Sequence, residues 1–376
     1  MTRAPTITGI GIVSPLGSDA RHTWRALLDG EFIRDHARSP LDPTSTNRIN
    51  HLALAAAEEA IDDAAWLRRA RAEPGRTALV VGTSKGEVET WLTAPPVASA
   101  SDKPAAGRAG EIFGLASTSV AIREALPLLD GPSLTLSAAC ASGLHALIRA
   151  SMMIRHGEAD RVLVVAAEAS VHPLFLASFR RLGVQPAEGV GCRPFDESRD
   201  GFLMSEAAAA VCLEPAETPD RPPGYARVER FAFGGDATHM TGGDPDGTTL
   251  RRLLDQVVAA RPVDLIHAHG TGTIFNDPIE LAAFEAICGA TETSPLVYSH
   301  KGALGHSLGA AGMMSVALSC LMHRHGIAPP NVRTRSPLAK KRVRISAEAE
   351  RMAVRRSIAV AAGFGGPAAV VSLVSP

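Results

Sequence analysis

Three short motifs, far apart in the chain, carry the residue types that acyl-transfer chemistry needs. Cys140 lies among small residues, His269 lies in a loop broken by glycines, and Lys301 and His306 share a glycine-rich segment. A cysteine thiolate is a strong nucleophile, and an imidazole can donate or accept a proton near neutral pH. A cysteine that meets two imidazoles could therefore carry an acyl group and pass it on.

The segment around Cys140 predicts a strand that turns sharply into a helix. Residues 133–137 are strand-like, small residues follow, and Leu144 and Leu147 share one face of the next helix. We expect Cys140 at the helix N-terminus, where unpaired N–H groups and the helix dipole favour a thiolate and can hold an oxyanion. The alternative is a buried structural thiol, which is what most free cysteines are.

His269 directly follows an apolar run, 263–268, that predicts a buried strand. The glycines after it allow unusual backbone angles, so the imidazole can meet a substrate carbonyl at the strand end. Thr271 and Thr273 offer hydroxyl groups on the same loop. His267 is interpreted as a strand residue whose ring is satisfied locally.

The residues after this loop predict the start of a helix. Asp277 fits the N-cap, Pro278 the first helical residue and Glu280 the acid of a capping box. Helix capping is therefore the first interpretation of Asp277.

Two further glycine-rich segments lie in the C-terminal part of the chain. Lys301 and His306 precede a helix of small residues, and the alternative for His306 is an ordinary core histidine. Phe364 is an aromatic residue among Gly363, Gly365 and Gly366, where a mobile ring or an exposed N–H group could serve a site. The alternative for this segment is a turn at a strand end.

The elements that must position these residues alternate between strand and helix. Strands are expected at 7–13, 77–82, 133–137, 161–166 and 263–268, and helices of small residues at 52–65, 144–153, 279–287 and 310–322. Residues 93–108 and 215–224 are expected to be loops, of which the second could separate two halves. Strand, tight turn and helix occur around both Cys140 and His269, which is compatible with an ancient duplication.

Composition narrows the classes of function. The 376 residues include 38 Lys plus Arg and 39 Asp plus Glu, so no charge excess predicts nucleic acid or an anionic membrane as a partner. No apolar run is long enough to span a membrane and no secretory signal is evident, so we expect a cytoplasmic protein. The five cysteines form no CxxC pair, which favours free thiols over zinc ligands or disulfides. Lysine is scarce, at positions 85, 103, 301, 340 and 341.

Taken together, the motifs resemble those of the β-ketoacyl synthase family, specifically its elongating condensing enzymes with a Cys-His-His site. The resemblance runs from residues 7–17, through 193–202, to the last strand. It implies an α/β protein with the thiolase-like fold: two similar βα halves in a layered α-β-α-β-α arrangement. It also implies one compact unit over 1–376, with a nucleophile half of roughly 1–218 and a histidine half of roughly 219–376.

The same resemblance implies the reaction and the central roles. Cys140 would be acylated from an acyl carrier protein thioester, and His269 and His306 would assist decarboxylation of a malonyl thioester before carbon–carbon bond formation. Lys301 would hold the histidine network electrostatically, with Glu280 as its acidic partner. No metal or cofactor is implied, since phosphopantetheine arrives on the carrier protein.

Four residues receive supporting roles from the resemblance. Thr271 and Thr273 match pantetheine-contacting threonines, and Phe364 matches a gating aromatic. The N–H groups of Cys140 and Phe364 would form the oxyanion hole. A homodimer is implied, and a heterodimer with a related synthase is the alternative.

Other activities share the first half of this mechanism. An acyltransferase or thioesterase would use the acyl-cysteine without condensing it. A chain-length-type partner subunit of another synthase would usually have lost the nucleophile, whereas Cys140 is present. A scaffold that only binds carrier protein is the remaining alternative.

Overall fold

The computed structural model describes residues 3–41, 47–69, 75–93, 114–217, 223–239, 243–289 and 294–376. Its strands are β1 Pro5–Val13, β2 Thr77–Gly82, β3 Ser133–Leu136, β4 Arg161–Glu168, β5 Ala207–Pro215, β6 Ala226–Gly235, β7 Leu265–His267, β8 Leu296–Tyr298, β9 Ile327–Ala328, β10 Glu350–Arg351, β11 Arg356–Ala362 and β12 Pro367–Val374. Its α-helices are α1 Ala20–Leu28, α2 Arg48–Asp63, α3 Trp66–Arg69, α4 Val88–Thr93, α5 Ser117–Ala125, α6 Ser142–His156, α7 Pro173–Arg181, α8 Thr248–Val258, α9 Asn276–Cys288, α10 Lys301–Leu304 and α11 Ala311–His325. A short 3-10 helix, Leu308–Ala310, precedes α11.

Ten of these strands are joined into one hydrogen-bonded sheet that contains the same topology twice. The order is β3-β2-β4-β5-β1-β6-β12-β11-β7-β8. The first half of this sheet comprises β1 to β5, and the second comprises β6, β7, β8, β11 and β12, because β9 and β10 form a separate pair. When the strands of each half are numbered from one to five along the chain, both halves follow the order 3-2-4-5-1, counted from the outer end of the sheet inward. In each half the second strand pairs in parallel with the third and the fourth, and the fifth pairs antiparallel with the fourth and the first. The duplication expected from the sequence is therefore present.

The helices form three layers, one outside each five-stranded half of the sheet and one between the two halves. Helix α2 packs on β1, β4 and β5, and α8 packs on β6 and β12 at the opposite outer face. Helices α6 and α11 lie between the halves, because α6 contacts β2, β4 and β12 while α11 contacts β5, β7 and β11. The layered α-β-α-β-α arrangement of the thiolase-like fold is confirmed.

Strand β4 shows why the strands read as unbroken apolar runs. Val162 and Val164 pack in the central core, and Leu163 and Val165 pack under the outer helices. Both faces of the strand are buried, so neither needs polar side chains.

Small residues let the central helices approach each other and the sheet. A Cβ atom on Gly143 would lie 2.8 Å from the backbone nitrogen of Met313, and one on Gly312 would lie 2.9 Å from Cγ of Leu144. Larger side chains at this crossing would push α6 and α11 apart. The sequence prediction that the small-residue helices are buried is confirmed for α6 and α11.

All five expected strands and all four expected helices are present, with shifted ends. The strand expected over 263–268 is shorter, Leu265–His267, and the helix expected from residue 52 begins at Arg48. Most of the loop expected at 93–108, and the boundary placed between 218 and 219, lie outside the described residues. Among the helices that the structure describes, none is long and apolar enough to cross a membrane.

Candidate active site

Each of the three motifs follows the carboxyl end of a parallel strand, and they meet where Phe202, from the apolar cluster that contains Cys140, packs against His306. Cys140 follows β3 of the first half, and His306 follows β8, the equivalent third strand of the second half. His269 follows β7, which pairs with β8. Loops at the carboxyl ends of parallel strands converge, which is why α/β proteins place their sites there.

Cys140 lies in a tight turn directly before α6. The preceding residue, Ala139, has a φ of +48°, a left-handed conformation that is uncommon for alanine. The Ala141 N–H donates to the carbonyl of Ala138 at 3.0 Å, and the Ser142 hydroxyl donates to the carbonyl of Ala139 at 2.6 Å. The N-cap is Ala141, so Cys140 lies one residue before the cap, close to the expected position.

Burial works against the expected thiolate at Cys140. Burial raises the pKa of the Cys140 thiol to about 11, and the ammonium groups of Lys85 and Lys301 offset only part of that rise. The carboxylate of Glu168 raises the pKa further. The thiol is therefore the stable form at neutral pH, and the proton must leave as the nucleophile reacts.

Two charged side chains hold the backbone of His269 from opposite sides. The Glu280 carboxylate accepts the N–H groups of His269, at 2.5 Å, and Gly270, at 2.7 Å. The Lys301 ammonium donates to the carbonyl oxygen of His269. The Ser299 hydroxyl donates to the Gly270 carbonyl at 2.7 Å. The glycines of this loop leave its backbone angles unrestricted, so the side chains of Glu280, Lys301 and Ser299 hold the backbone in place.

Asp277 and Glu280 do not cap a helix. Helix α9 begins at Asn276, and the side chain of its N-cap residue, Phe275, makes no capping hydrogen bond. The buried carboxylate of Asp277 instead accepts the N–H groups of Gly272, at 3.1 Å, and Phe195, at 2.7 Å. The capping-box prediction is wrong because both acids turn away from the helix end and into the His269 loop.

The rings of His269 and His306 lie edge to face, with centroids 5.4 Å apart and an interplanar angle of 81°. Both are almost fully buried, and the Phe202 ring packs edge-on against His306 at 4.8 Å. Burial lowers the pKa of both imidazoles well below the usual value, and the Lys301 charge lowers them further. Neutral imidazoles are the result. The Nδ1 atom of each ring has no hydrogen-bond partner among the described residues.

Glu280 and Lys301 are themselves almost fully buried, and each moderates the other's charge. Burial raises the pKa of Glu280 and lowers that of Lys301, and the attraction between their opposite charges works against both shifts. The expected acidic partner of Lys301 is thus in place, and the pair meets through the peptide groups of His269.

Phe364 lies in the turn between β11 and β12, beside Cys140. Its partly buried ring packs against the apolar cluster that contains Cys140, and it lies 6.0 Å from the ring of Phe179. A Cβ atom on the neighbouring Gly363 would lie 3.0 Å from the backbone nitrogen of Cys140. The bare glycine thus keeps the two turns in contact.

The hydroxyl groups of Thr271 and Thr273 contact each other at 3.0 Å. Thr271 is buried and Thr273 is partly exposed. The Thr273 oxygen also accepts the N–H of Asn276 at 3.3 Å, which ties the loop to the start of α9. Both residues lie on the His269 loop, as expected.

His267 is a buried strand residue with local partners, as the sequence indicates. Its Nε2 atom lies 3.0 Å from Nδ1 of His300, and its Nδ1 lies 3.1 Å from the Ser319 hydroxyl. His300 was not singled out from the sequence.

Sequence reasoning also missed Lys85, on the loop that follows β2, and Glu168, the last residue of β4. The Glu168 carboxylate accepts the backbone N–H of Ser84 at 2.9 Å and of Gly309 at 3.2 Å, so it links the two halves beside Cys140. A signal was present: Glu168 is an acid at the end of an apolar strand, and Lys85 is one of only five lysines.

Comparison with known proteins agrees with this geometry. Residues 34–218 match the β-ketoacyl synthase N-terminal domain and residues 225–335 match its C-terminal domain. The chain is 31% identical to the 3-oxoacyl-[acyl-carrier-protein] synthase 2 of Rhizobium meliloti, over 97% of both chains. It is 30% identical to the ketoacyl synthase alpha subunit of the tetracenomycin polyketide synthase of Streptomyces glaucescens, over 98% of this chain and 96% of that one.

A solved structure supports the fold. It is a type II polyketide synthase acyl-carrier protein in complex with its ketosynthase, with a TM-score of 0.88, 23% identity and full coverage of both chains. The chain described here belongs to the β-ketoacyl synthase family of condensing acyltransferases.

Proposed function

We propose that this chain catalyses the decarboxylative Claisen condensation of a Cys140-bound acyl group with a malonyl-acyl carrier protein thioester, in fatty acid or polyketide biosynthesis. The observation that carries the proposal is the pair of neutral, buried imidazoles, His269 and His306, in edge-to-face contact beside the apolar cluster that contains Cys140. A pair of neutral N–H donors suits an oxygen on which negative charge develops.

The first step is transfer of an acyl group to Cys140. The sulfur of Cys140 attacks the thioester carbonyl, a new carbon–sulfur bond forms, and the phosphopantetheine thiol leaves with the proton that the cysteine loses. The N–H groups of Cys140 and Phe364 hold the oxyanion in this step. The close approach of Gly363 to the Cys140 nitrogen supports this assignment, because Phe364 directly follows Gly363.

The second step joins two carbons. The malonyl carboxylate leaves as carbon dioxide, and the electron pair left behind forms an enolate whose oxygen is held by His269 and His306. The enolate carbon attacks the acyl-cysteine carbonyl, and Cys140 is released as the thiol after it takes up a proton. Lys301 and Glu280 act on this step as positioning residues, because both hold the backbone of His269.

Thr271 and Thr273 contact the pantetheine arm in this proposal. The loop that carries them continues at the surface into Phe275, whose side chain is 82% exposed. The Arg199 guanidinium donates to the carbonyl oxygens of Thr273, at 3.1 Å, and Ile274, at 3.0 Å. A cationic and apolar rim beside the threonines suits an acidic carrier protein that must deliver its arm there.

The proposal extends to the extent, location and assembly of the protein. The chain acts as one compact unit over 1–376 in the cytoplasm, without a metal or resident cofactor. It forms a homodimer, or a heterodimer with a related synthase. Gel filtration with mass detection, on the chain alone and with related synthase subunits, distinguishes these assemblies.

The proposed reaction is tested by following its two steps separately. Purified protein is incubated with an acyl carrier protein thioester, and intact mass shows whether an acyl group is added to Cys140. Malonyl carrier protein is then added, and carbon dioxide and the ketoacyl product are measured. The proposal predicts all three.

The alternatives give different results in the same experiment. Acylation without carbon dioxide or ketoacyl product would identify an acyltransferase or thioesterase. Binding of carrier protein without acylation would identify a scaffold or a chain-length-type subunit. Either result would overturn the condensation.

A further inference from the structure

Lys85 lies on a loop that the duplicated topology directs toward Cys140. It follows β2, the second strand of the first half, as His269 follows β7, the second strand of the second half. The two loops are therefore equivalent. The first half thus places an ammonium group where the second half places an imidazole.

The Lys85 ammonium faces aromatic rings of the nucleophile's surroundings. Its Nζ lies 5.2 Å from the ring centroid of Phe175 and 5.6 Å from that of Phe179. Phe179 belongs to the apolar cluster that contains Cys140, and Phe175 packs against that cluster. The Lys85 charge also lowers the pKa of Cys140 more than the Lys301 charge does.

The ammonium group has donors to spare. Nζ donates to the Ser84 hydroxyl at 3.1 Å, and no carboxylate lies within 4.0 Å of it in the portion of the chain that the structure describes. The nearby Glu168 carboxylate is occupied by the Ser84 hydroxyl, at 2.6 Å, and the Ser170 hydroxyl, at 2.6 Å. An ammonium has three N–H donors, so Lys85 retains capacity for a further acceptor.

We propose that Lys85 determines substrate specificity by binding an oxygen acceptor, a carboxylate or a carbonyl, on the acyl group that Cys140 receives. This inference rests on the proposed function. An acyl chain attached to Cys140 starts within the cluster that also holds Phe179, and the ammonium borders that cluster. A plain alkyl chain there would remove water from the charge and return no hydrogen bond. An oxygen acceptor would satisfy it.

The chemistry of the transfer is unchanged by this contact. The acyl carbon exchanges its bond to the phosphopantetheine sulfur for a bond to Cys140, the proton moves from one thiol to the other, and Lys85 keeps its protons throughout. Lys85 could instead act only by lowering the pKa of the Cys140 thiol. That role would speed every acyl group equally, whereas a specificity role changes the ratio between acyl groups.

The test therefore measures a ratio. Hexanoyl, 5-oxohexanoyl and adipoyl groups are loaded on the same acyl carrier protein, and the rate of mass addition to Cys140 is measured for the full chain and for Lys85→Met and Lys85→Arg. Methionine keeps most of the length and removes the charge, and arginine keeps the charge. The hexanoyl rate of each variant, with its thermal unfolding, shows that it is folded.

The native chain is expected to prefer at least one oxygen-bearing group over hexanoyl by about tenfold or more, because a polar group left unpaired in a site is penalised. Lys85→Met should bring that ratio close to one, and Lys85→Arg should keep most of it. A preference for adipoyl alone identifies a carboxylate as the acceptor that Lys85 binds, and a preference for 5-oxohexanoyl alone identifies a carbonyl.

Two results would overturn the inference. The specificity role is contradicted if the native chain prefers hexanoyl, or if Lys85→Met leaves the ratio unchanged. In both cases the acylation of Cys140 still supports the proposed function. Failure of all three groups to acylate Cys140 sinks the proposed function, and the inference with it.

Discussion

Lys301 and Glu280 hold the peptide unit between His269 and Gly270 from opposite sides. Lys301 comes from the segment after β8 and donates to the carbonyl of His269, while Glu280 comes from α9 and accepts the N–H of Gly270 in the same peptide unit. Two buried charges of opposite sign fix the backbone beside an imidazole. The position of His269 therefore depends on both.

Glu280→Gln should separate the two steps of the reaction. The amide keeps one acceptor but sets an NH2 group against a backbone N–H, so the His269 loop shifts. We expect decarboxylation of malonyl carrier protein to fall about 100-fold, since a small misplacement of a reacting group costs that much. Cys140 acylation should be nearly unchanged.

The matched control is Glu285→Gln, because Glu285 lies on the same helix and accepts the backbone N–H groups of Lys341, Arg342 and Val343 away from the site. Carbon dioxide release and intact mass are measured for both variants. If Glu280→Gln slowed acylation as much as decarboxylation, a general structural role would replace the positioning role.

His306→Ala should abolish malonyl decarboxylation and spare much of the acylation of Cys140. The substitution removes one of two N–H donors for the enolate oxygen, and loss of such a donor costs about 100-fold to 1,000-fold in rate. His323→Ala is the control, since that ring contacts Ser357 and Ser375 at the far end of α11. Equal loss of both steps in His306→Ala would contradict the assigned role.

Alkylation of Cys140 by iodoacetamide should rise with pH from 7 to 10 without reaching a plateau. Because burial raises the pKa of this thiol to about 11, the thiolate fraction increases about tenfold per pH unit over that range. Peptide mass mapping follows Cys140 beside Cys192, whose pKa burial raises to about 12 and which should react more slowly. A plateau near pH 7 would mean that the helix end outweighs burial.

The motifs and the elements could be predicted from the sequence because both are local. The run at 161–166 predicts a strand whatever surrounds it, and Cys140 stands out by its small neighbours. Lys85 could not be assigned in this way. Its proximity to Cys140 follows from the order of strands in the sheet, which places the loop after β2 beside β3 across a wide sequence separation.

The charge states of the site residues are predicted least well from the sequence, because they too depend on the whole fold. The helix end near Cys140 is a local feature and predicts a thiolate. Burial is a property of the whole fold, and its effect on the pKa is larger. Asp277 and Glu280 show the same limit: their spacing fits a helix cap, but the loop that needs their carboxylates lies before the helix.

Gly363→Ala should slow the acylation of Cys140 by about tenfold or more, because an oxyanion hole loses a donor when its two turns are pushed apart. The new Cβ atom would lie 2.9 Å from Cβ of Ala139 and 3.0 Å from the Cys140 nitrogen, so one turn must move. Overpacking of this kind costs about 1–3 kcal/mol of stability, which thermal unfolding measures. Gly243→Ala is the control, because no atom of the residues that the structure describes lies within 4 Å of its Cβ position. Unchanged acylation by a folded Gly363→Ala variant would show that the close contact between the two turns is not needed for the first step.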